Sequence, residues 1–253
     1  MYRSRLLPPA ALMLVLLLSA CTAPLDSCQG PPRGWAYDGL GAPMPRLSTV
    51  PKGLRIVTLG SSSTEGVGAS RPDLTYPAQL QRILDRRFPD DRIEVINRGV
   101  AQEVVASNLV RLDRDVLSLS PDLVIWQVGT NDAIYLRDFV SIMDQVNLGI
   151  GRIRKSGARV ALLSPQVFFD PARDQPISEM NEDLRKLALA RQVPFLDRHQ
   201  LMSWWANSGA LYPDEILGED ELHMTDRSYE CLAIRIADIV PALARGAIVR
   251  QRS

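Results

Sequence analysis

A serine-rich stretch, LGSSSTEGVG at residues 59–68, directly follows an apolar run and is the first place where this sequence could do chemistry. A serine there can act as a nucleophile if a base takes its proton, and histidine is the usual base near neutral pH. The stretch lacks the glycine spacing of a dinucleotide fingerprint and the lysine of a P-loop, and Thr64 replaces the second glycine of a G-x-S-x-G elbow. A phosphate-binding nest and a plain turn with helix-capping serines are the alternatives.

The sequence offers only two histidines as the base, His199 and His223. His223 lies in GEDELHMTD, and Asp220 precedes it by three residues, so the carboxylate can reach the imidazole, fix its tautomer and stabilise the imidazolium. His199 is interpreted as a surface or helix-capping histidine. Asp197, close to it, is interpreted as structural, because Asp220 has the better spacing to a histidine.

A second polar stretch, VGTND at 128–132, ends another apolar run. Acyl transfer needs hydrogen-bond donors for an oxyanion, and the side-chain amide of Asn131 can supply one. The alternative is that Asn131 and Asp132 only form the turn and cap the next helix.

Five apolar, β-branched runs alternate with helical patterns and must position these polar stretches. The predicted strands are 54–59, 92–97, 122–128, 158–164 and 193–196, and the predicted helices are 76–88, 103–118, 134–156, 177–191 and 225–245. This alternation indicates one α/β domain with a parallel sheet. Ligands of such sheets bind outside the carboxyl ends of the strands, where both polar stretches lie.

Composition supports this picture and excludes several classes of function. The 253 residues are 46% hydrophobic, and this length and composition suit one large domain. The formal net charge is zero. No basic run interleaves with aromatic residues, so we expect no nucleic-acid partner. No CxxC, HExxH or Cys/His cluster is present, so we expect no metal. The oligomeric state stays open.

Four blocks in order, LGSSSTEGVGA, INRGVAQEV, VGTND and DELH, resemble those of the SGNH (GDSL-type) serine hydrolases. The resemblance covers about 200 residues and implies a three-layer α/β/α, flavodoxin-like domain over residues 51–253, with a five-stranded, mainly parallel sheet. It further implies that Ser62 is the nucleophile, that His223 is the base and that Asp220 orients it. The oxyanion donors would be the N–H groups of Ser62 and Gln102 and the side chain of Asn131.

The sequence departs from the family pattern at two positions. Ser61 stands where the GDS triplet has aspartate, and an uncharged hydroxyl accepts a hydrogen bond more weakly. Gln102 stands where a glycine usually supplies an oxyanion N–H, and glutamine adopts a positive φ less easily than glycine. Gly99 is an alternative donor if the loop is shifted.

The resemblance implies a serine esterase that needs no cofactor and cleaves small-molecule, glycan or lipid esters through an acyl-enzyme. The preference for acylated or acetylated glycans, or lipid esters, comes from the cell-envelope location predicted below and not from a binding motif. One alternative is an acyltransferase that passes the acyl group to a sugar hydroxyl. Another is a binding module that has lost catalysis through Ser61 and Gln102. Trp204 and Trp205 either contact substrate or pack the last helices onto the sheet.

Residues 1–20 are predicted to be a signal peptide for export, with Arg3 and Arg5 before a short apolar run. LSAC at 18–21 resembles a lipobox, which implies lipidation of Cys21 and a membrane anchor in the bacterial cell envelope, with the outer membrane facing the periplasm as the expected place. An ordinary secretory signal is the alternative.

Residues 21–50 are rich in proline, glycine and alanine and are predicted to be a flexible tether. Cys28 lies in this tether and Cys231 in a predicted helix. An exported protein can keep a disulfide. Because a tether does not hold a cysteine against a helix, two free thiols are the favoured prediction and a Cys28–Cys231 bond is the alternative.

Overall fold

The structure is a computed structural model and describes residues 28–245 except 33 and 137. The predicted signal peptide and Cys21 lie outside these residues. Six strands form one sheet: β1 (Ala36–Tyr37), β2 (Arg55–Gly60), β3 (Glu94–Gly99), β4 (Leu123–Gln127), β5 (Arg159–Leu163) and β6 (Phe195–Leu196). Their order is β1-β6-β5-β4-β2-β3, and all neighbours are parallel except the antiparallel pair β1 and β6.

Helices follow most strands and cover both faces of the sheet. They are α1 (Ser62–Glu65), α2 (Tyr76–Arg87), α3 (Val105–Asp115), α4 (Thr130–Tyr135), α5 (Phe139–Lys155), α6 (Pro171–Ala190), α7 (Arg198–Ser208), α8 (Pro213–Ile216) and α9 (Asp226–Leu243). In the described part of the chain, no helix has both the length and the apolar character that crossing a membrane requires.

The sheet separates two hydrophobic clusters, which gives three layers. Along β4, Leu123 and Ile125 belong to the cluster beneath α2, α7 and α9, whereas Val124 and Trp126 belong to the cluster beneath α3, α5 and α6. Alternate residues of a strand point to opposite faces, so a strand covered on both sides reads as a continuous apolar run. The predicted three-layer α/β/α architecture is confirmed.

The strand count differs from the prediction because β1 forms a sixth strand. This strand is only two residues long and comes from the Pro/Gly-rich segment that predicts a tether. Within that segment Trp35 and Ala36 are buried, and the Trp35 carbonyl accepts a hydrogen bond of 2.7 Å from the Asp197 N–H. Over residues 28–50 the structure therefore differs from the predicted tether, since a few apolar side chains are enough to dock this segment on the domain.

Cys28 and Cys231 form a disulfide, so the favoured prediction of two free thiols is wrong. Their Cα atoms lie 4.7 Å apart, across a sequence separation of 203 residues, and both side chains are buried. Nearby, the indole of Trp205 donates a 2.8 Å hydrogen bond to the carbonyl of Gln29. The docked segment holds Cys28 against α9, which is the proximity that a tether would not provide.

Candidate active site

The serine stretch forms a tight turn between β2 and α1. A side chain at Gly60 would place its Cβ 2.4 Å from Thr64 Oγ1, so only glycine fits where the strand ends. Ser61 is the N-cap residue and Ser62 is the first residue of α1. The first N–H groups of a helix have no partner within it, so the Ser62 N–H is available to a ligand.

Ser61, the departure from the GDS triplet, is held by Gln127 at the end of β4. The Ser61 N–H and hydroxyl donate to Gln127 Oε1 at 2.9 and 3.1 Å, and the Thr64 hydroxyl donates to the same oxygen at 3.2 Å. Ser61, Thr64 and Gln127 are all buried. A neutral amide from the neighbouring strand thus anchors the turn through three donors.

His223 lies between Ser62 and Asp220. Its Nε2 is 3.0 Å from Ser62 Oγ, and its Nδ1 is 2.6 Å from Asp220 Oδ2. An ionised carboxylate can only accept, so Nδ1 carries the proton and Nε2 accepts from the Ser62 hydroxyl. The structure brings together the three residues predicted as nucleophile, base and orienting acid, at the hydrogen-bond distances that a Ser-His-Asp triad requires.

Asp220 accepts hydrogen bonds from the backbone of the residues that follow it. Its Oδ1 accepts the N–H groups of Leu222 at 3.0 Å and His223 at 2.9 Å. Partial burial alone would raise the pKa of Asp220, but these two N–H groups and the imidazole of His223 outweigh it and hold the pKa below its ordinary value. Asp220 therefore stays a carboxylate at neutral pH.

Gln102 adopts the left-handed conformation that a glycine would take, with φ +66°. Its side chain is exposed, and no other described residue accepts its N–H. Gln102 lies in the loop between β3 and α3, residues 100–104, which is called the loop of Gln102 below. The preceding residue, Ala101, donates its N–H to Glu65 Oε2 at 2.6 Å, and this bond joins the loop to the end of α1. Glutamine keeps the backbone geometry of the family's glycine at a conformational cost of roughly 1–2 kcal/mol.

Gly99 does not serve as the alternative donor, because its N–H donates to Asn97 Oδ1 at 2.8 Å. Its role is close packing. A Cβ on Gly99 would lie 2.0 Å from the N atom of Glu65, so only glycine lets the end of β3 approach α1.

Asn131 lies in the first turn of α4 and is buried. Its Nδ2 donates to the carbonyl of Glu103 at 2.9 Å, which links it to the loop of Gln102 and leaves its second amide hydrogen available. The N-cap residue of α4 is Gly129, so neither Asn131 nor Asp132 is the N-cap residue of this helix. Asp132 Oδ1 instead accepts the N–H of Val105 at 2.9 Å, at the start of α3, and burial raises the pKa of Asp132 despite this bond.

The loop of Gln102 rests on an ion pair that sequence reasoning missed. Glu103 binds the guanidinium of Arg111, with the Nη2 to Oε2 distance at 2.6 Å, and Arg111 is almost fully buried. Asn108 also donates to Glu103 Oε2 at 2.6 Å, and Arg111 donates to the Arg98 carbonyl at 2.8 Å. Glu103 lies eight positions before Arg111 and just outside α3, so the i, i+3 and i, i+4 spacings of helical ion pairs do not indicate this pair.

The other residues considered from the sequence lie outside the group formed by Ser62, His223 and Asp220. His199 Nε2 is 3.0 Å from both carboxylate oxygens of Asp174, so it is neither a free surface residue nor a helix cap. Asp197 caps α7 by accepting the Gln200 N–H at 2.9 Å, which is the structural role predicted for it. Trp205 is fully buried and Trp204 packs against the same core, so the packing interpretation holds for both.

A cavity of about 650 Å³ opens beside the loop between α8 and α9, residues 217–225, which carries Asp220 and is called the Asp220 loop below. Its lining residues are Phe169, Asp170, Arg173, Pro213, Asp214, Leu217, Gly218, Glu219 and Glu221. Arg173 lies 4.5 Å from the Phe168 ring centre and pairs with Glu221 at 3.1 Å. Among the described residues, no three His, Cys, Asp or Glu side chains are grouped as a metal site would need.

A family model described as the non-GDSL lipase-like family matches residues 27–245. The chain belongs to the non-GDSL lipase-like family. That description accords with Ser61, which occupies the aspartate position of the GDS triplet. The prediction of a GDSL-type hydrolase that acts on ester bonds is confirmed at the level of family and enzyme class.

Three relatives place this non-GDSL lipase-like chain among known proteins. An arylesterase from Vibrio mimicus is 29% identical over 170 residues, which cover 63% of this chain and 80% of the relative. A lipase/acylhydrolase from Enterococcus faecalis is 25% identical, with a TM-score of 0.63 and coverage of 73% and 93% of the two chains. An acetylxylan esterase from Geobacillus stearothermophilus has the same fold, with a TM-score of 0.63, 18% identity and coverage of 80% and 99%.

Proposed function

We propose that the chain hydrolyses carboxylic esters through Ser62, His223 and Asp220 by way of an acyl-enzyme. The observation that carries this proposal is the continuous hydrogen-bonded series, 3.0 Å from Ser62 Oγ to Nε2 and 2.6 Å from Nδ1 to Asp220. A serine in this series loses its proton to the imidazole as it attacks a carbonyl carbon.

In the first half-reaction, Ser62 Oγ bonds to the ester carbonyl carbon and its proton moves to His223 Nε2. The carbonyl oxygen becomes an oxyanion, which the Ser62 N–H, the Gln102 N–H and the Asn131 amide stabilise. The carbon–oxygen bond to the alcohol then breaks, the alcohol leaves with the proton from His223, and the acyl group stays on Ser62. Asp220 stabilises the transient imidazolium.

In the second half-reaction, water repeats the attack. His223 takes a proton from the water as the water oxygen bonds to the acyl carbon. The bond to Ser62 Oγ then breaks, Ser62 recovers its proton from the imidazolium, and a carboxylic acid leaves. The two steps consume one water for each ester cleaved and need no cofactor.

For the substrate, we propose small acyl or acetyl esters carried on a glycan or lipid of the cell envelope. The acetylxylan esterase and an esterase active on acetylated mannans share the fold, and the Vibrio mimicus relative is an arylesterase. Glu219 and Glu221, which flank Asp220, line the cavity of about 650 Å³ together with the exposed Phe169, and we propose that this cavity receives the alcohol moiety. An aromatic face such as that of Phe169 can stack on a sugar ring.

The proposed location is the cell envelope, with a lipid anchor on Cys21. Six residues separate Cys21 from Cys28, where the described domain begins, so the anchor could lie at most about 25 Å from the disulfide. Labelling of cells with an alkyne fatty acid tests this. A labelled band that disappears in Cys21→Ser supports the anchor, and an unlabelled wild type contradicts it.

Hydrolysis of p-nitrophenyl acetate, butyrate and octanoate tests the enzyme proposal. Ser62→Ala and His223→Ala are expected to lose at least about 10³-fold in kcat/KM. His199→Gln is the matched control, because it changes the other histidine and keeps a donor for Asp174, and it should retain most of the activity. Full activity in Ser62→Ala would overturn the proposal.

A further inference from the structure

A fully buried arginine lies behind the candidate site. Arg198, the first residue of α7, has no exposed surface, and no carboxylate among the described residues pairs with it. Its guanidinium donates to the Ser164 carbonyl at 3.0 Å and to Gln166 Oε1 at 2.8 Å, and lies 3.8 Å from the Met224 sulfur. Burial lowers the pKa of Arg198 to about 10, so it stays charged at neutral pH.

Gln166 links this cation to two segments of the site. Its Oε1 also accepts the hydroxyl of Thr130 at 3.0 Å, and its Nε2 donates to the Leu222 carbonyl at 3.2 Å. The orientation of the amide is fixed by chemistry, since arginine only donates and a carbonyl only accepts. The side chain of Gln166 is 1% exposed, so water does not compete for these bonds.

The two segments that Gln166 joins are the ones that carry His223 and Asn131. Leu222 immediately precedes His223, and Thr130 immediately precedes Asn131. A single amide therefore spans the loop of the base and the helix of the oxyanion donor. Among the described residues, no other hydrogen bond joins these two segments directly.

We propose that Gln166, fixed by the buried guanidinium of Arg198, is a positioning residue that sets the distance between His223 and Asn131. This inference rests on the proposed function, because it assigns a role within the same reaction. Transition-state geometry is sensitive to such spacing, and a misplacement of about 1 Å can cost about 10²-fold in rate.

The test measures kcat and KM for p-nitrophenyl acetate in the purified full chain and four variants. Gln166→Leu removes both ends of the link. Gln166→Glu keeps an acceptor for Arg198 but loses the donor to the Leu222 carbonyl. Arg198→Met removes the guanidinium. Gln79→Leu is the control, because Gln79 is also buried and also donates its Nε2 to a carbonyl, that of Leu74 at 2.8 Å, outside the two segments.

Gln166→Leu and Gln166→Glu are expected to lower kcat by about 10²-fold with KM within about twofold of wild type, since positioning acts on the transition state. Gln79→Leu should lower Tm by about as much as Gln166→Leu does, because both remove a buried hydrogen-bonded amide. It should nevertheless keep kcat within about twofold of wild type. If Arg198→Met does not fold, the two Gln166 variants decide the question.

Two outcomes overturn the inference. One is a kcat in Gln166→Leu equal to that of Gln79→Leu, and the other is an effect confined to KM. Failure of the proposed function looks different, because Ser62→Ala would then match the wild type in the same assay. The Ser62→Ala measurement therefore separates a wrong positioning role from a wrong reaction.

Discussion

The carboxylate of Glu65, in the helix that begins at Ser62, accepts the N–H of Ala101 at 2.6 Å, one residue before Gln102. The nucleophile helix thus holds the loop of a proposed oxyanion donor. The tie is charge-assisted, and such bonds are roughly twice as strong as neutral ones.

Substitution of Glu65 should therefore weaken catalysis in a graded way. Glu65→Gln keeps a neutral acceptor and is expected to lower kcat only a few-fold. Glu65→Ala removes the acceptor and is expected to lower kcat by about 10-fold or more, up to the roughly 10²–10³-fold that the loss of an oxyanion donor costs. Steady-state kinetics on p-nitrophenyl acetate measures both. Equal kcat values in the wild type and Glu65→Ala would mean that this tie does not position the loop.

Replacement of Gln102 separates backbone strain from donor chemistry. Gln102→Gly relieves a strain of roughly 1–2 kcal/mol but adds chain entropy to the unfolded state, so we expect a net gain of about 0.5 kcal/mol in unfolding free energy. Gln102→Ala should match the wild type, and Gln102→Val should be less stable, because β-branched residues resist positive φ. All three keep the N–H, so each should remain active.

Urea unfolding gives these stabilities. The expected order is glycine, then glutamine and alanine together, then valine. A glycine variant less stable than the alanine variant would show that residue 102 does not hold the left-handed conformation in solution.

The buried carboxyl of Asp132 should make stability depend on pH. Burial raises its pKa in the folded state, so its contribution to stability is full below the pKa of the unfolded chain and is lost as pH rises through the folded pKa. Asp132→Asn keeps an acceptor for the Val105 N–H without the charge. We expect Asp132→Asn to gain stability relative to wild type at pH 7 and to show a smaller gain near pH 3.5.

Urea unfolding of both proteins at the two pH values measures this difference. Asp85→Asn, at an exposed position of α2, serves as the control for a lost surface charge. A gain for Asp132→Asn that is larger at pH 3.5 than at pH 7 would contradict the raised pKa.

The Cys28–Cys231 bond should stabilise the domain strongly. It closes a loop of about 200 residues, and loss of a native disulfide typically costs roughly 2–5 kcal/mol. Unfolding with and without dithiothreitol measures its contribution. The double variant Cys28→Ala/Cys231→Ala should be as unstable as the reduced wild type and should not respond to reductant. If the free energy of unfolding of the wild type were the same with and without dithiothreitol, the result would contradict the bond.

The sequence predicted the features that repeat or occur in ordered blocks. Strands β2, β4 and β5 show as apolar runs because both faces of the sheet are covered there, and Asp220 was matched to His223 by spacing alone. The family blocks matched Ser62 and Asn131 to positions that the structure links to His223 and to the loop of Gln102.

Other features depend on contacts between distant parts of the chain. Strand β1 is too short for any periodicity, and Trp35 docks a segment whose overall composition is that of a linker. The disulfide follows from that docking and could not be predicted from the position of Cys28 in the chain. Gln127 and Gln166 act through single amides, and no local pattern indicates which buried glutamine bridges two segments.

The most direct test of the central claim is mass spectrometry after reaction with a fluorophosphonate probe, which labels only an activated serine. We predict one adduct on the peptide that contains Ser62, none in Ser62→Ala, and a strongly slowed reaction in His223→Ala. Ser62 has serine neighbours on both sides, so fragment ions must assign the site. An adduct on Ser61 or Ser63, or an unlabelled wild type, would contradict the assignment of Ser62 as the nucleophile.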